Sequence, residues 1–156
     1  MQKTLLQICS LGFLLLVAGG ARNFQNESAS PTNQPVVFFP RQVVDDSFAK
    51  GSALIDGSGG RNYKVLTGHR EAPGMVELHA KDTDIIYVVK GTATIVTGGT
   101  IVDAKTTAAD EIRGREIAGG DSRALEAGDV LIIPNGIPHW FKEVSAPFLY
   151  FVVKSR

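Results

Sequence analysis

Cysteine is almost absent from this chain: a single residue, Cys9, stands among 156. One thiol excludes an internal disulfide framework and a cysteine-ligated zinc site. Charge of one sign is lacking too, with 16 basic residues against 16 acidic and no basic run. That pattern argues against a nucleic-acid groove. Long apolar stretches are missing outside the first twenty-one residues. What remains, 44% apolar and 21% charged residues, is the composition of one soluble globular domain.

Residues 1–21 differ from the rest. Lys3 is their only charge, an apolar run follows from Leu11 to Ala18, and Gly19, Gly20 and Ala21 close the segment. A basic start, a short apolar core and small residues at the end describe a secretory signal peptide cut after Gly20 or Ala21. The run is broken by Gln7 and Ser10 and is short for a membrane span, which needs about 20 apolar residues. The chain is therefore expected to be exported to the periplasm or secreted, with no membrane attachment once the signal is removed. Cleavage would take Lys3 and Cys9 with it, leaving 15 basic against 16 acidic residues. Any transition-metal site must then use His, Asp and Glu.

Residues 22–34 are polar and without periodicity, and read as a disordered linker. A single domain is expected over residues 35–156. It starts with a short apolar edge strand, Val36 to Phe39, ended by Pro40. Two helical turns over Val43 to Lys50 follow, stopped by Gly51. From there the pattern is one of strands: Tyr63 to His69, Gly74 to His79, Ile85 to Val89, Thr92 to Val96, Val130 to Ile133, His139 to Val144 and Phe148 to Val153. Many short strands punctuated by Gly and Pro indicate an all-β sandwich or barrel. Residues 104–120 have little strand character and read as an inserted loop with a helical turn around Ala108 to Ile112. Such a loop is either a solvated surface or a lid.

Two stretches carry chemistry. In Met75-Val76-Glu77-Leu78-His79, alternation puts Glu77 and His79 on one face and Val76 and Leu78 on the other. Asp84 opens the next strand after a polar turn through Asp82. The second stretch runs from Gly128 through Pro134 and Gly136 to His139. A bend between prolines sets the entry of a strand that begins at the histidine. Glu77, His79, Asp84 and His139 are the candidate metal ligands, brought from separate strands to one point. Phe141 and Glu143 share a face with His139 on simple alternation and would line the pocket. His69 is the candidate catalytic residue: turned inward it would be a general acid or base, turned outward a surface histidine. Tyr87 is an odd step from Asp84 and belongs to the opposite, packing face.

Over about residues 60–156 these motifs resemble the cupin superfamily. Glu77 stands where that family's first histidine is usual, His79 matches the second, Asp84 takes the place of its glutamate, and Gly91 matches. Gly128, Pro134, Gly136 and His139 fit the second motif, with Glu143 in place of its asparagine. The resemblance implies a double-stranded β-helix, the jelly-roll barrel, and a homodimer formed through N-terminal strands. It implies a divalent transition metal in the barrel mouth. Two histidines with carboxylates are similar to non-haem iron sites, the oxygen-rich set suits Mn²⁺, and Zn²⁺, Ni²⁺ and Co²⁺ share these ligand types. The expected function is an exported metal-dependent enzyme of dioxygenase, lyase or isomerase type acting on a small polar organic molecule. The alternatives are a non-catalytic module binding a sugar or other small molecule, and a storage barrel that has lost the chemistry.

Overall fold

The computed structural model describes residues 34–156. The expected signal peptide and all but the last residue of the expected linker lie outside the described residues. Among the described residues one helix, α1 (Arg41–Lys50), precedes thirteen strands. They are β1 (Ala53–Ile55), β2 (Tyr63–Arg70), β3 (Val76–His79), β4 (Thr83–Lys90), β5 (Ala93–Thr97), β6 (Thr100–Val102) and β7 (Lys105–Ala108). There follow β8 (Glu111–Gly114), β9 (Glu116–Ala118), β10 (Asp121–Leu125), β11 (Val130–Ile133), β12 (His139–Val144) and β13 (Phe148–Ser155).

The strands form two antiparallel sheets and a small ribbon. One sheet runs β1-β2-β13-β4-β11, the other β10-β5-β12-β3-β8-β7, and β6 pairs with β9 alone. The first and last long strands of the barrel, β2 and β13, pair along their whole length, from Tyr63–Ser155 to Arg70–Phe148. This is the jelly roll that the resemblance implied.

Alternation decides what each strand buries. On β4, Ile86 and Val88 are 2% and 1% exposed, while Ile85, Tyr87 and Val89 between and beside them face out. On β13, Phe148, Tyr150 and Val152 point in. Phe141, Phe148 and Tyr150 meet with ring centroids 5.2–5.4 Å apart and form the aromatic centre of the core. Gly68 on β2 is what admits the Tyr150 ring, because a Cβ there would fall inside it. Gly68→Ala is therefore expected to destabilise the barrel by about 1–3 kcal/mol through overpacking, read as a lowered urea midpoint. An unchanged midpoint would show that the ring can move aside.

The helix forms where the sequence predicts it. Pro40 stands at its N-cap, and Gly51 ends it in the left-handed conformation, φ 59°. Only Ser47 and Phe48 are buried. Ser47 shares a hydrogen bond with Thr67 of β2, and Phe48 packs edge-on to Phe151 of β13, so α1 covers the outer face of the first sheet.

Three expectations need correction. Residues 36–39 form no strand; Val37 and Phe38 are 45% and 81% exposed. Apolar β-formers alone do not make a strand where no sheet edge is paired with them. Residues 104–120 are not a loop and have no helical turn at Ala108 to Ile112. They hold β7, β8 and β9, and Asp110 makes the β7–β8 turn at φ 65°. The free edge of β3 selected β8 as a partner, Val76 to Gly114 through His79 to Glu111. Tyr87 lies opposite Asp84 in facing, as alternation requires, but it is half exposed and packs no second layer.

Candidate metal centre

Sheet register assembles the site. Glu77 on β3 sits directly opposite His139 on β12 and, on its other side, opposite Arg113 on β8. His79, two residues on, sits opposite Glu111. From the facing sheet comes Asp84 at the start of β4, directly opposite Lys154 on β13. All seven of these side chains thus arrive as members of cross-strand pairs, the unit that fixes side-chain neighbours in a sheet.

Donor atoms of Glu77, His79 and His139 lie within 4.8 Å of one another. His79 and His139 are 5% and 3% exposed. The His139 Nδ1–H donates to the Ile137 carbonyl at 3.2 Å, which leaves the Nε2 lone pair facing the cluster. Burial pushes the His139 pKa below its ordinary value, so the ring is neutral at pH 7, the form that binds metal. His79 presents Nδ1 to Glu111 at 3.4 Å. Its Nε2 is buried without a hydrogen-bond partner, 3.5 Å from Glu77 Oε2 and 3.5 Å from Asp84 Oδ2. A buried polar atom left unpaired is costly and rare in native proteins. Two imidazole nitrogens, one of them unsatisfied, and a carboxylate converging on one point fit a first-row divalent ion. Glu77, His79 and His139 would hold it.

Asp84 stands beside this triad without joining it. Its Oδ2 is 3.7 Å from His139 Nε2, but both carboxylate oxygens accept from Lys154 Nζ at 2.7 Å. Glu77 is shared as well. Arg113 reaches Oε1 at 2.6 Å and Arg70 reaches it at 3.1 Å, while Arg113 also pairs closely with Glu111. Burial works against the Glu77 charge; contacts from His79 and the guanidinium charges of Arg113 and Arg70 outweigh it and hold the carboxyl well below the usual range. Arg70 lies 4.9 Å over the Phe141 ring and donates to the Tyr150 hydroxyl at 3.0 Å, so it separates the polar mouth from the aromatic core. The mouth encloses about 640 Å³.

Phe141 lines this cavity, buried to 4% exposure. Glu143 does not. A bulge between Phe141 and Glu143 inserts one residue, so Glu143 pairs with Thr94 and turns outward. It accepts from Thr94 Oγ1 at 2.8 Å and lines a different cavity. His69 takes the outward alternative. It lies on the face of β2 opposite to Arg70, with Nδ1 bonded to the Phe48 carbonyl and Nε2 to Glu71 at 2.6 Å. The Glu71 carboxylate raises its pKa, and the ring ties α1 to the barrel. Arg70, Glu111, Arg113 and Lys154 are the residues that sequence reasoning missed. Lys154 was recoverable by extending the alternation Phe148, Tyr150, Val152 by one step. Arg113 and Glu111 were hidden in the segment read as a loop.

The family described as Cupin matches residues 62–156. No curated protein matches the sequence. Among solved structures, a cupin-like protein from Thermotoga maritima is 18% identical, with 67% of this chain and 65% of that one covered and a TM-score of 0.46. Protein NMB1881 from Neisseria meningitidis is 8% identical, covering 68% and 82%, with a TM-score of 0.46. The hydroquinone 1,2-dioxygenase PnpCD, solved with Cd²⁺ and 4-hydroxybenzonitrile, is 20% identical, covering 61% and 58%, with a TM-score of 0.47. With more than half of its length matched by the family and both sheets of the jelly roll in place, this chain belongs to the cupin family.

Proposed function

We propose that this cupin holds one divalent transition-metal ion at Glu77, His79 and His139 and acts there on a small polar organic molecule. The observation that carries the reading is the buried, unpartnered Nε2 of His79, aimed at the point where the other two donors converge. When bound, such an ion would supply Lewis-acid polarisation of a carbonyl or carboxylate oxygen, or a site for oxygen chemistry. The protein's own part is to keep His139 neutral and fixed by Ile137, to orient His79 through Glu111, and to hold Glu77 ionised. The reading includes export, supported by Lys3 and the apolar run Leu11 to Ala18. It includes pairing of two copies, supported by the exposed apolar outer face of β4 and β11, where Tyr87, Val130 and Ile132 are 47%, 62% and 61% exposed.

One observation favours a second reading, a binding module without turnover. Every carboxylate of the cluster is engaged by a cation: Glu77 by Arg113 and Arg70, Asp84 by Lys154, Glu111 by Arg113. A general base needs a free, suitably placed acceptor, and here none of the three is free.

Elemental analysis of the full chain, purified without a metal-binding tag, tests the metal. About one equivalent of a transition metal per chain is expected, one ion for the one triad found among the described residues. Failure to retain Fe²⁺, Mn²⁺, Co²⁺, Ni²⁺ or Zn²⁺, each offered in turn, would overturn the reading.

A further inference from the structure

The charges around the triad count out evenly. Glu77, Asp84 and Glu111 contribute three negative charges, and Arg70, Arg113 and Lys154 three positive ones, joined as the group Arg70–Glu77–Arg113–Glu111 and the separate pair Asp84–Lys154, each ion pair at 3.1 Å or less. The side chains are largely withdrawn from water: 5% exposed for Asp84, 13% for Lys154, 18% for Glu77, 19% for Arg70 and 29% for Arg113. Without a metal ion the mouth is neutral. A divalent ion makes it doubly positive, and net charge in a partly buried site is costly. The arginines cannot shed a proton to relieve it, and no further acid of the cluster is left to ionise.

We propose that the mouth takes a small organic oxyanion of charge near minus two, a dicarboxylate or a phosphate monoester, and that this anion and the metal ion bind cooperatively. The proposal rests on the metal reading above and adds the substrate class to it. The cations that would receive the anion are already in place, because each is held by a carboxylate beside the candidate ion. Glu77, in giving electron density to a metal ion, has less to give to its two guanidinium partners. Arg113 and Arg70 then have N–H donors to offer into the 640 Å³ cavity, which the Lys154 ammonium also lines. Guanidinium groups take oxyanions through paired hydrogen bonds. A neutral sugar or amide would leave the double charge uncompensated and strand those donors.

The test is a calorimetric titration of the full-length, metal-free protein with the ion that elemental analysis finds. It is run alone and in the presence of succinate, methyl phosphate or the neutral analogue succinamide, with free metal corrected for chelation. Coupling is reciprocal, so metal affinity should rise about tenfold, within the usual range for coupled sites, with one or both anions and stay unchanged with succinamide. Whether succinate or methyl phosphate does so separates the two sources of the oxyanion. In Lys154→Met and Arg113→Gln most of that ratio should vanish, whatever happens to metal affinity itself. If the ion binds and neither anion tightens it beyond succinamide, the substrate class is wrong and the metal reading stands. If the ion does not bind at all, both fall. The comparison within the wild-type protein holds even if a variant fails to fold.

Discussion

Replacing His139 with alanine is expected to lower metal affinity by about a hundredfold or more and to leave the barrel folded. Loss of residues that merely orient a ligand costs roughly 10–100-fold, and His139 is itself one of the three donors. Its Nδ1 is committed to Ile137 and its Nε2 faces Glu77, Asp84 and His79, so no other side chain can swing into its place without breaking a pair. The fold should tolerate the change because the ring lies outside the aromatic cluster of Phe141, Phe148 and Tyr150. Asp84→Ala should weaken binding less, since Lys154 already claims both of its oxygens. Titration calorimetry beside thermal unfolding separates the two effects. Full metal occupancy in His139→Ala would place the site elsewhere, and equal losses in both variants would make Asp84 a fourth ligand.

The parts of this arrangement that were legible are those governed by period-two alternation and by turn residues. Glu77 and His79 share a face because they are two apart on a strand. Val130–Ile133 and His139–Val144 have the bounds their sequence predicts, because Gly128 and Pro134 to Pro138 punctuate them. What was hidden depends on pairing. Strands β6 to β10 are three to five residues long and mix Thr and Ile with Ala and charged residues, with no sustained alternation. Local propensity is weak there, and the edges of β3 and β5 decide the state of β8 and β10. Arg113 and Glu111 became site residues only through the register that sets them opposite Glu77 and His79. Glu143 was misplaced for the complementary reason: a one-residue bulge reverses the facing of all that follows. The apolar Val36 to Phe39 shows the same dependence from the other side, since its propensity was sound and no edge receives it.

Glu77→Gln should cost the metal-free protein stability as well as metal, in a way that changes with pH. The substitution keeps the shape and removes the charge that Arg70 and Arg113 share. Arg113 retains Glu111, but Arg70 keeps only the Tyr150 hydroxyl, under cover of the Phe141 ring. Removing one partner of a buried ion pair costs roughly 3–5 kcal/mol. The partial exposure of Arg113 puts the expected loss at the lower end, about 3 kcal/mol at pH 7. The sign of the pH dependence follows from the lowered pKa of Glu77, whose ordinary value is 4.5. A carboxyl depressed in the folded state contributes its full stability above the unfolded pKa and loses it as pH falls through the folded one. Below pH 4.5 the wild-type protein therefore loses stability that the variant never had, and the gap between them narrows. Other depressed carboxyls, such as Asp82 beside Arg156, are common to both proteins and cancel in the difference. Urea unfolding in chelator at pH 7, and at steps from pH 5 down to about pH 3, measures that difference directly. Curves that stay parallel throughout would mean that Glu77 is not the charge on which this network turns.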